Sequence, residues 1–390
     1  AGTNAGNSIE SGGNYNTVVG DEAGTAITTG DANTFYGYSA GVATTTSSDN
    51  TAIGGAALAT NILASSNTAV GKNALYAHNV GSAASTYNTA VGHHAGIAVT
   101  TGIQNTLIGG LAGDALTDSD KNVAVGYSAL GTEVLGQFNV AIGRSALQAQ
   151  SNGSAANVYN TAVGYNAGAA VTTGVQNTFI GGLAGDATDD GTNNVAVGFE
   201  ALSANCGSSN TSVGTRAGKA TTADNNTFVG NNAGTANTTA SNNTAVGASA
   251  LLANTTGANN AALGIQALDG NTTGSENIGI GSNALGSNTT ANDNVAIGGG
   301  ALATNTTGAD NVAIGRVALA NSTTASNNTA VGKSALFANT TGTSNVALGA
   351  LALDANTTGN QNVGVGKNAI GTNTTGDANT AIGHGALAVA

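Results

Sequence analysis

The chain has 390 residues, of which 60 are glycine, 40% are hydrophobic and only 7% are charged, against about 25% in an ordinary soluble domain. Eight Lys and Arg against 20 Asp and Glu leave a net charge of −12, so the chain is unable to neutralise a phosphate backbone and nucleic acid is excluded as a partner. A single cysteine excludes a disulfide framework and a cysteine-rich metal site, and no apolar run approaches the roughly 20 residues that span a bilayer.

Residues 1–15 read as a degenerate partial coil, in which Asn4-Ala5-Gly6 echoes the Ala-Gly of the copies that follow. No basic-headed hydrophobic stretch and no initiator Met open the chain, which reads as a mature or trimmed product. From Asn16 onward the pentapeptide N-x-x-x-G recurs 22 times, and this self-similarity organises everything else. The spacing is 17 residues, apart from 16-residue copies beginning at Asn194 and Asn210 and 21-residue copies beginning at Asn67 and Asn139. Position 1 is always Asn, position 5 always Gly and position 8 always Ala. Position 4 is Val, Ile or Leu in every copy but one, where Tyr36 stands, and position 9 is Leu, Ile or Gly. Residues 16–242 carry a higher, four-copy period of 72 residues, with Gly24, Gly41, Leu58 and Leu75 at position 9 and the same order in the next four copies. Residues 243–390 form a uniform segment of 17-residue copies with Leu or Ile at position 9.

Seventeen residues are too few for a domain and do not match helical repeats, whose periods begin near 33. Each copy offers a β-favouring stretch, N-T-A-V-G or N-V-A-I-G, whose alternation puts positions 2 and 4 on one face. Position 4, almost always β-branched or Leu, is therefore assigned to the core. A second short stretch is expected at positions 8 and 9, with turns after the Gly and at N-T-T-G, where Gly and Asn accept positive φ. Strand, turn, strand, turn predicts an all-β protein: a single-stranded parallel β-solenoid of about 22 stacked coils. Stacking makes ladders of the invariant positions, Asn243, Gly247 and Ala250 lying under Asn260, Gly264 and Ala267, with Asn amides bonding from coil to coil. An α-helix is excluded by recurrent Gly and Asn, and collagen by the absence of proline and of a three-residue period.

Chemistry-bearing side chains are sparse, and neither catalysis, a cofactor nor a metal is expected. His93 and His94 sit at positions 6 and 7 of one turn without further ligands at metal spacing. Lys72, Arg144, Arg316, Lys333 and Lys367 all occupy position 6, which marks that column as solvent-facing. Asp49, Glu276, Asp293 and Asp310, just before the invariant Asn, read as solvated corner acids, as do Asp189 and Asp190. Cys206 reads as a small buried residue. The N-T-T corners create glycosylation sequons at Asn237, Asn254, Asn271, Asn288, Asn305, Asn339, Asn356 and Asn373, and N-S-T one at Asn321, although turn geometry alone accounts for those residues. Tyr87 and Tyr159 end the two 21-residue copies, beside the inserts Gly81–Ala84 and Gly153–Ala156. Four coils apart, and so roughly 19 Å apart on the same side, they are candidates for a lateral contact or a ligand-facing feature.

The pentapeptides Asn294–Gly298 and Asn311–Gly315 (N-V-A-I-G), with Ala three residues after the Gly, resemble the head repeats of trimeric autotransporter adhesins. The runs Asn88–Thr106 and Asn160–Thr178 are similar to repeats of phage tail fibres and other surface fibres. That resemblance implies a left-handed parallel β-roll, homotrimeric, at a cell surface or on a virion, although adhesin coils are somewhat shorter than 17 residues. A heptad stalk, a membrane anchor and a tail-fibre chaperone domain have no counterpart in the sequence. The expected function is an extracellular structural fibre element of a filament, adhesin or appendage. With no cap at either end and the last coil stopping midway at Ala390, its partner is expected to be itself, stacked head to tail. The alternatives are a homotrimeric receptor-binding tail fibre meeting a surface glycan or receptor, and an ice-binding solenoid, for which the Thr at position 2 recur irregularly.

Overall fold

The computed structural model describes residues 2–154 and 156–388; Ala1, Ala155 of the second insert, Val389 and the terminal Ala390 lie outside the described residues. Every regular element among the described residues is a β-strand, and the chain divides into two compact units, Ala1–Asn194 and Val195–Ala390. In both units each coil contributes one three-residue strand at positions 2 to 4, which pairs in parallel with the strand of the next coil, equivalent residues opposite one another, as in Thr17↔Thr34 and Val295↔Val312. The first unit runs this way from Thr17–Val19 to Thr178–Ile180 and the second from Val195–Val197 to Thr380–Ile382. Each unit is thus the parallel β-solenoid that the period predicts. The 21-residue copies keep the register, with Thr68↔Thr89 and Val140↔Thr161, so their extra residues are extruded instead of shifting the strands.

Two expectations are corrected. The buried strand residue is position 3, not positions 2 and 4: Phe35, Ala52, Ala124 and Ala296 are fully buried, whereas Ile53, Ile142, Ile297 and Ile314 at position 4 are 36–38% exposed. In a three-residue strand, alternation leaves one residue inside and two outside, and the interior is narrow enough to suit the smaller residue. Nor, among the described residues, is there a second strand at positions 8 and 9. Positions 7 and 9 take left-handed backbone, as at Ser249 (φ 55°) and Leu251 (φ 55°), which curls the chain through a continuous turn. Its backbone still pairs along the stack, Leu251 N–H donating to the Ala267 carbonyl at 2.9 Å. A left-handed leucine costs about 1 kcal/mol, and its complete burial returns about 2 kcal/mol, so the strain is tolerated coil after coil.

The interior is filled by positions 3, 8, 9 and 12, and it explains the four-copy period. Gly at position 9 comes in two successive copies, and one large residue at position 3 of the second copy fills the space beside both, as Phe35 does for Gly24 and Gly41 and Phe228 for Gly218 and Gly234. A Cβ on Gly234 would stand 2.4 Å from the Phe228 ring, and one on Gly41 2.5 Å from that of Phe35. Leu107 fills the same space between Gly96 and Gly113. Where position 9 is Leu, position 3 of the same copy is Ala or Gly, as in Leu251 with Ala245 and Leu285 with Gly279. Large and small residues therefore exchange places at nearly constant volume, as close packing requires.

Polar ladders hold the corners. The Asn260 N–H donates to Asn243 Oδ1 (2.9 Å), and Asn277 N–H does the same to Asn260 Oδ1 (3.0 Å), while Asn260 Nδ2 closes its own coil on the Gly274 carbonyl (2.8 Å). The main rung thus joins a side-chain oxygen to a backbone N–H, with amide-to-amide bonds added in some coils, such as Asn311 to Asn294 at 3.1 Å. Ala250 and Ala267 are fully buried beside this ladder.

A second ladder runs through the N-T-T corners of the second unit. Asn254 Nδ2 donates to Asn237 Oδ1, Asn271 to Asn254 and Asn288 to Asn271, each at 2.8 Å. It is interrupted at Ser322, where Asn305 Oδ1 and Ser322 Oγ are buried without a partner. Ser322→Asn fills the missing rung, and it is expected to raise stability by about 1 kcal/mol in denaturant titration.

Candidate functional site

The residues that point outward from the strands make one wall on each unit. Position 2 holds Thr, Val, Ala or Ile, and position 4 holds Val, Ile, Leu or Tyr36, so no charged side chain stands on either outward row in any of the 22 copies. At position 4, Ile53, Ile108, Ile280 and Leu348 are 36–39% exposed, and Val70, Val125, Val229 and Val331 are half-buried. A strand wall normally left to water carries Lys, Glu or other charges. Here β-branched residues are held in fixed register by the hydrogen-bonded ladder beneath them, and they present a rigid, uncharged surface. Sequence reasoning had this row inside the protein.

The inserts of the two 21-residue copies stand out from the first unit. Ala84–Ser85 pairs with Ala64–Ser65, and Gln137 bridges to Asn157, so each insert is tied to the coil before it. Tyr87 (59%) and Tyr159 (48%) are exposed, and Tyr159 stacks on Phe138 with centroids 5.1 Å apart, while Lys121 Nζ lies 4.9 Å from the Phe138 centroid on that same edge.

Beneath each insert lies a buried polar residue at position 12 that sequence reasoning missed. His78 is fully buried, its Nε2 3.0 Å from Thr86 Oγ1. Gln150 holds the equivalent place and donates to the fully buried Glu133 at 2.9 Å. The Glu133 carboxylate also accepts the backbone N–H groups of Val134, Leu135 and Gly136 at 2.9, 3.0 and 2.7 Å, which compensates its burial. Counting eleven residues on from Asn67, Asn122 and Asn139 exposes all three positions in the sequence, in a column otherwise rich in Val, Leu, Thr and Asn.

The remaining candidates are not brought together into a site. His93 and His94 stack with centroids 3.8 Å apart, and His94 Nε2 lies 3.2 Å from Asn73 Nδ2. Burial, then the charges of His93 and Lys72, hold His94 below the usual imidazole range, with Asp114 opposing. Among the described residues no three His, Cys, Asp or Glu are placed to hold a metal ion. Lys72, Arg144, Arg316, Lys333 and Lys367 are all exposed, as are Asp49, Glu276, Asp293 and Asp310. Asp189 and Asp190 are exposed too. Cys206 is buried.

Of the sequon asparagines, Asn237, Asn254, Asn271, Asn288, Asn305, Asn339 and Asn356 are fully buried ladder rungs, closed to a modifying enzyme in the folded chain. Asn373 is half-buried and Asn321 exposed. No helix among the described residues is long and apolar enough to cross a membrane. No protein-family model matches the chain, and no curated protein matches it.

Proposed function

We propose that the protein is a non-catalytic structural element of a fibre outside the cell, and that copies of the chain associate side by side through the uncharged strand wall. The observation that carries this reading is the uncharged double row on each unit, in which position 4 is Val, Ile, Leu or Tyr36 throughout, beside Thr, Val, Ala or Ile at position 2. Contiguous apolar surface of that extent marks an interaction site in a soluble protein. The partner must offer apolar groups repeating at the spacing of the coils, about 4.8 Å, along the whole row, and a second copy of this chain does so by construction. The surface-fibre resemblance of Asn294–Gly298 and Asn311–Gly315 supports the location and a stoichiometry of three. Thr stands beside Val or Ile on the wall and not in paired Thr ranks, which favours contact with protein over ordering of water.

Sedimentation of the full chain tests this reading. The wild type is expected to form a small closed oligomer. The triple substitution Ile280→Lys, Ile297→Lys, Ile314→Lys should weaken association by at least about 1,000-fold, each buried Ile being worth roughly 1.5 kcal/mol, with the strand spectrum unchanged. A wild type that stays monomeric, or that grows without limit as concentration rises, refutes side-by-side association; the second outcome is the head-to-tail filament.

A further inference from the structure

We infer that His78 is an acid-responsive latch, which holds residues 79–86 against the coil stack while its imidazole is neutral and releases them when it is protonated. Its side chain is completely buried, with Nε2 3.0 Å from Thr86 Oγ1 and 3.5 Å from Asn88 Nδ2, and its Nδ1 has no hydrogen-bond partner. Thr86 passes the contact on, its hydroxyl donating to Asn67 Oδ1 at 2.8 Å, so His78 joins the end of the insert to a rung of the main ladder.

No counter-charge is available to an imidazolium there. Residues 50–104, which comprise the coil of His78 and the coils on either side, contain no Asp or Glu. The titratable groups of those coils are Lys72, Tyr76, Tyr87, His93 and His94, and His78 is the one that is fully buried. The neighbours in its own column, Asn61 and Val99, are uncharged. A cation at this place would be buried with no counter-charge, the Thr100 backbone offering it partial compensation and the Asn88 amide facing Nε2 as another donor, and such a group is expelled or neutralised.

Burial lowers the His78 pKa from 6.5 to about 4, the Thr100 backbone opposing only in part. A folded-state value below the unfolded one means that the neutral latch stabilises above the unfolded value. That stabilisation is lost as pH falls from 6.5 towards 4.

What yields is local. The Asn79 N–H to Thr100 carbonyl bond (2.9 Å), the Thr86 N–H to Ser65 carbonyl bond (3.0 Å) and the short pairing of Ala84–Ser85 hold the insert, whose middle residues are exposed. The strands Thr68–Val70 and Thr89–Val91 on either side are paired independently of it. Tyr87 adjoins the insert, so acid alters one of the two lateral tyrosine edges and spares the other.

The second insert is an internal control, because Gln150 stands where His78 does. In hydrogen exchange of the full chain, corrected for intrinsic rates, opening of residues 79–86 is expected to rise about 30-fold between about pH 7.5 and about pH 5. Opening of residues 151–154 and 156–158 should change less than about 3-fold, and the flanking strands should remain protected. His78→Gln abolishes the rise; should that variant fail to fold, His78→Asn, matching Asn61, takes its place. An equal rise in both inserts, or a rise that survives the substitution, overturns the inference.

Discussion

Phe228→Ala is expected to lower the unfolding free energy of the second unit by about 3–5 kcal/mol, the range for emptying a fully buried aromatic site. Gly234→Leu alone should also destabilise, by about 1–3 kcal/mol, because its first carbon enters space that the ring occupies, 2.4 Å from Phe228 Cε1. Together the two substitutions recreate the Ala and Leu pairing that Ala245 and Leu251 show one coil later. The double variant should therefore recover at least about 2 kcal/mol relative to the sum of the single effects. Denaturant titration of the four proteins measures this coupling. Simple additivity would mean that the Gly and Leu alternation at position 9 is not a volume exchange.

Gly247→Ala is expected to cost about 3 kcal/mol or more. Two independent obstacles coincide: φ is 139°, a region that only glycine enters readily, and a Cβ would stand 2.4 Å from the Gly264 carbonyl oxygen. Neighbouring coils pack so closely at this corner that the oxygen has no room to retreat. Gly299→Ala is the control. That residue has no positive φ and its added carbon meets only the Ser282 oxygen, at 4.0 Å, so thermal unfolding should move by no more than the equivalent of about 0.5 kcal/mol. Equal effects at the two sites would contradict the stacking explanation of the invariant glycine.

The coil length, the parallel stack and the Asn, Gly and Ala columns were legible because each is a strict period, and a strict period in a short repeat has few structural solutions. The side of the strand facing the core was not legible from position 4 alone. Val and Ile look more like core than Ala does, and a three-residue strand offers no longer alternation to arbitrate. Two residue patterns point the right way in hindsight. Thr shares a face with Val and Ile, and the size of position 3 (Phe35, Leu107, Phe179, Phe228) rises only where position 9 is Gly.

The second Asn ladder was hidden for a related reason. Asn254 and Asn271 lie in an N-T-T-G sequence that reads as a turn, and the turn is real, but its Asn faces inward and bonds along the stack. Side-chain oxygens just before the main ladder add a further rung of the same kind: Asn292 Oδ1 accepts the Ser275 N–H at 2.8 Å, and Asp377 Oδ1 the Asn360 N–H at 2.6 Å. His78 and Glu133 escaped attention because residue type alone suggests exposure, and only column position places them inside.

The proposed function rests on the contrast between the two sides of one strand. Inside, Ala, Leu and Phe complete a narrow core; outside, an uncharged double row sets Val, Ile and Leu at position 4 beside Thr, Val, Ala or Ile at position 2. A transverse electron-microscopic section of the native assembly is the most direct measurement. Several copies arranged with positions 2 and 4 turned towards a shared interior are the expected result. Single coil stacks whose Ile297 and Ile314 rows face only water would contradict it.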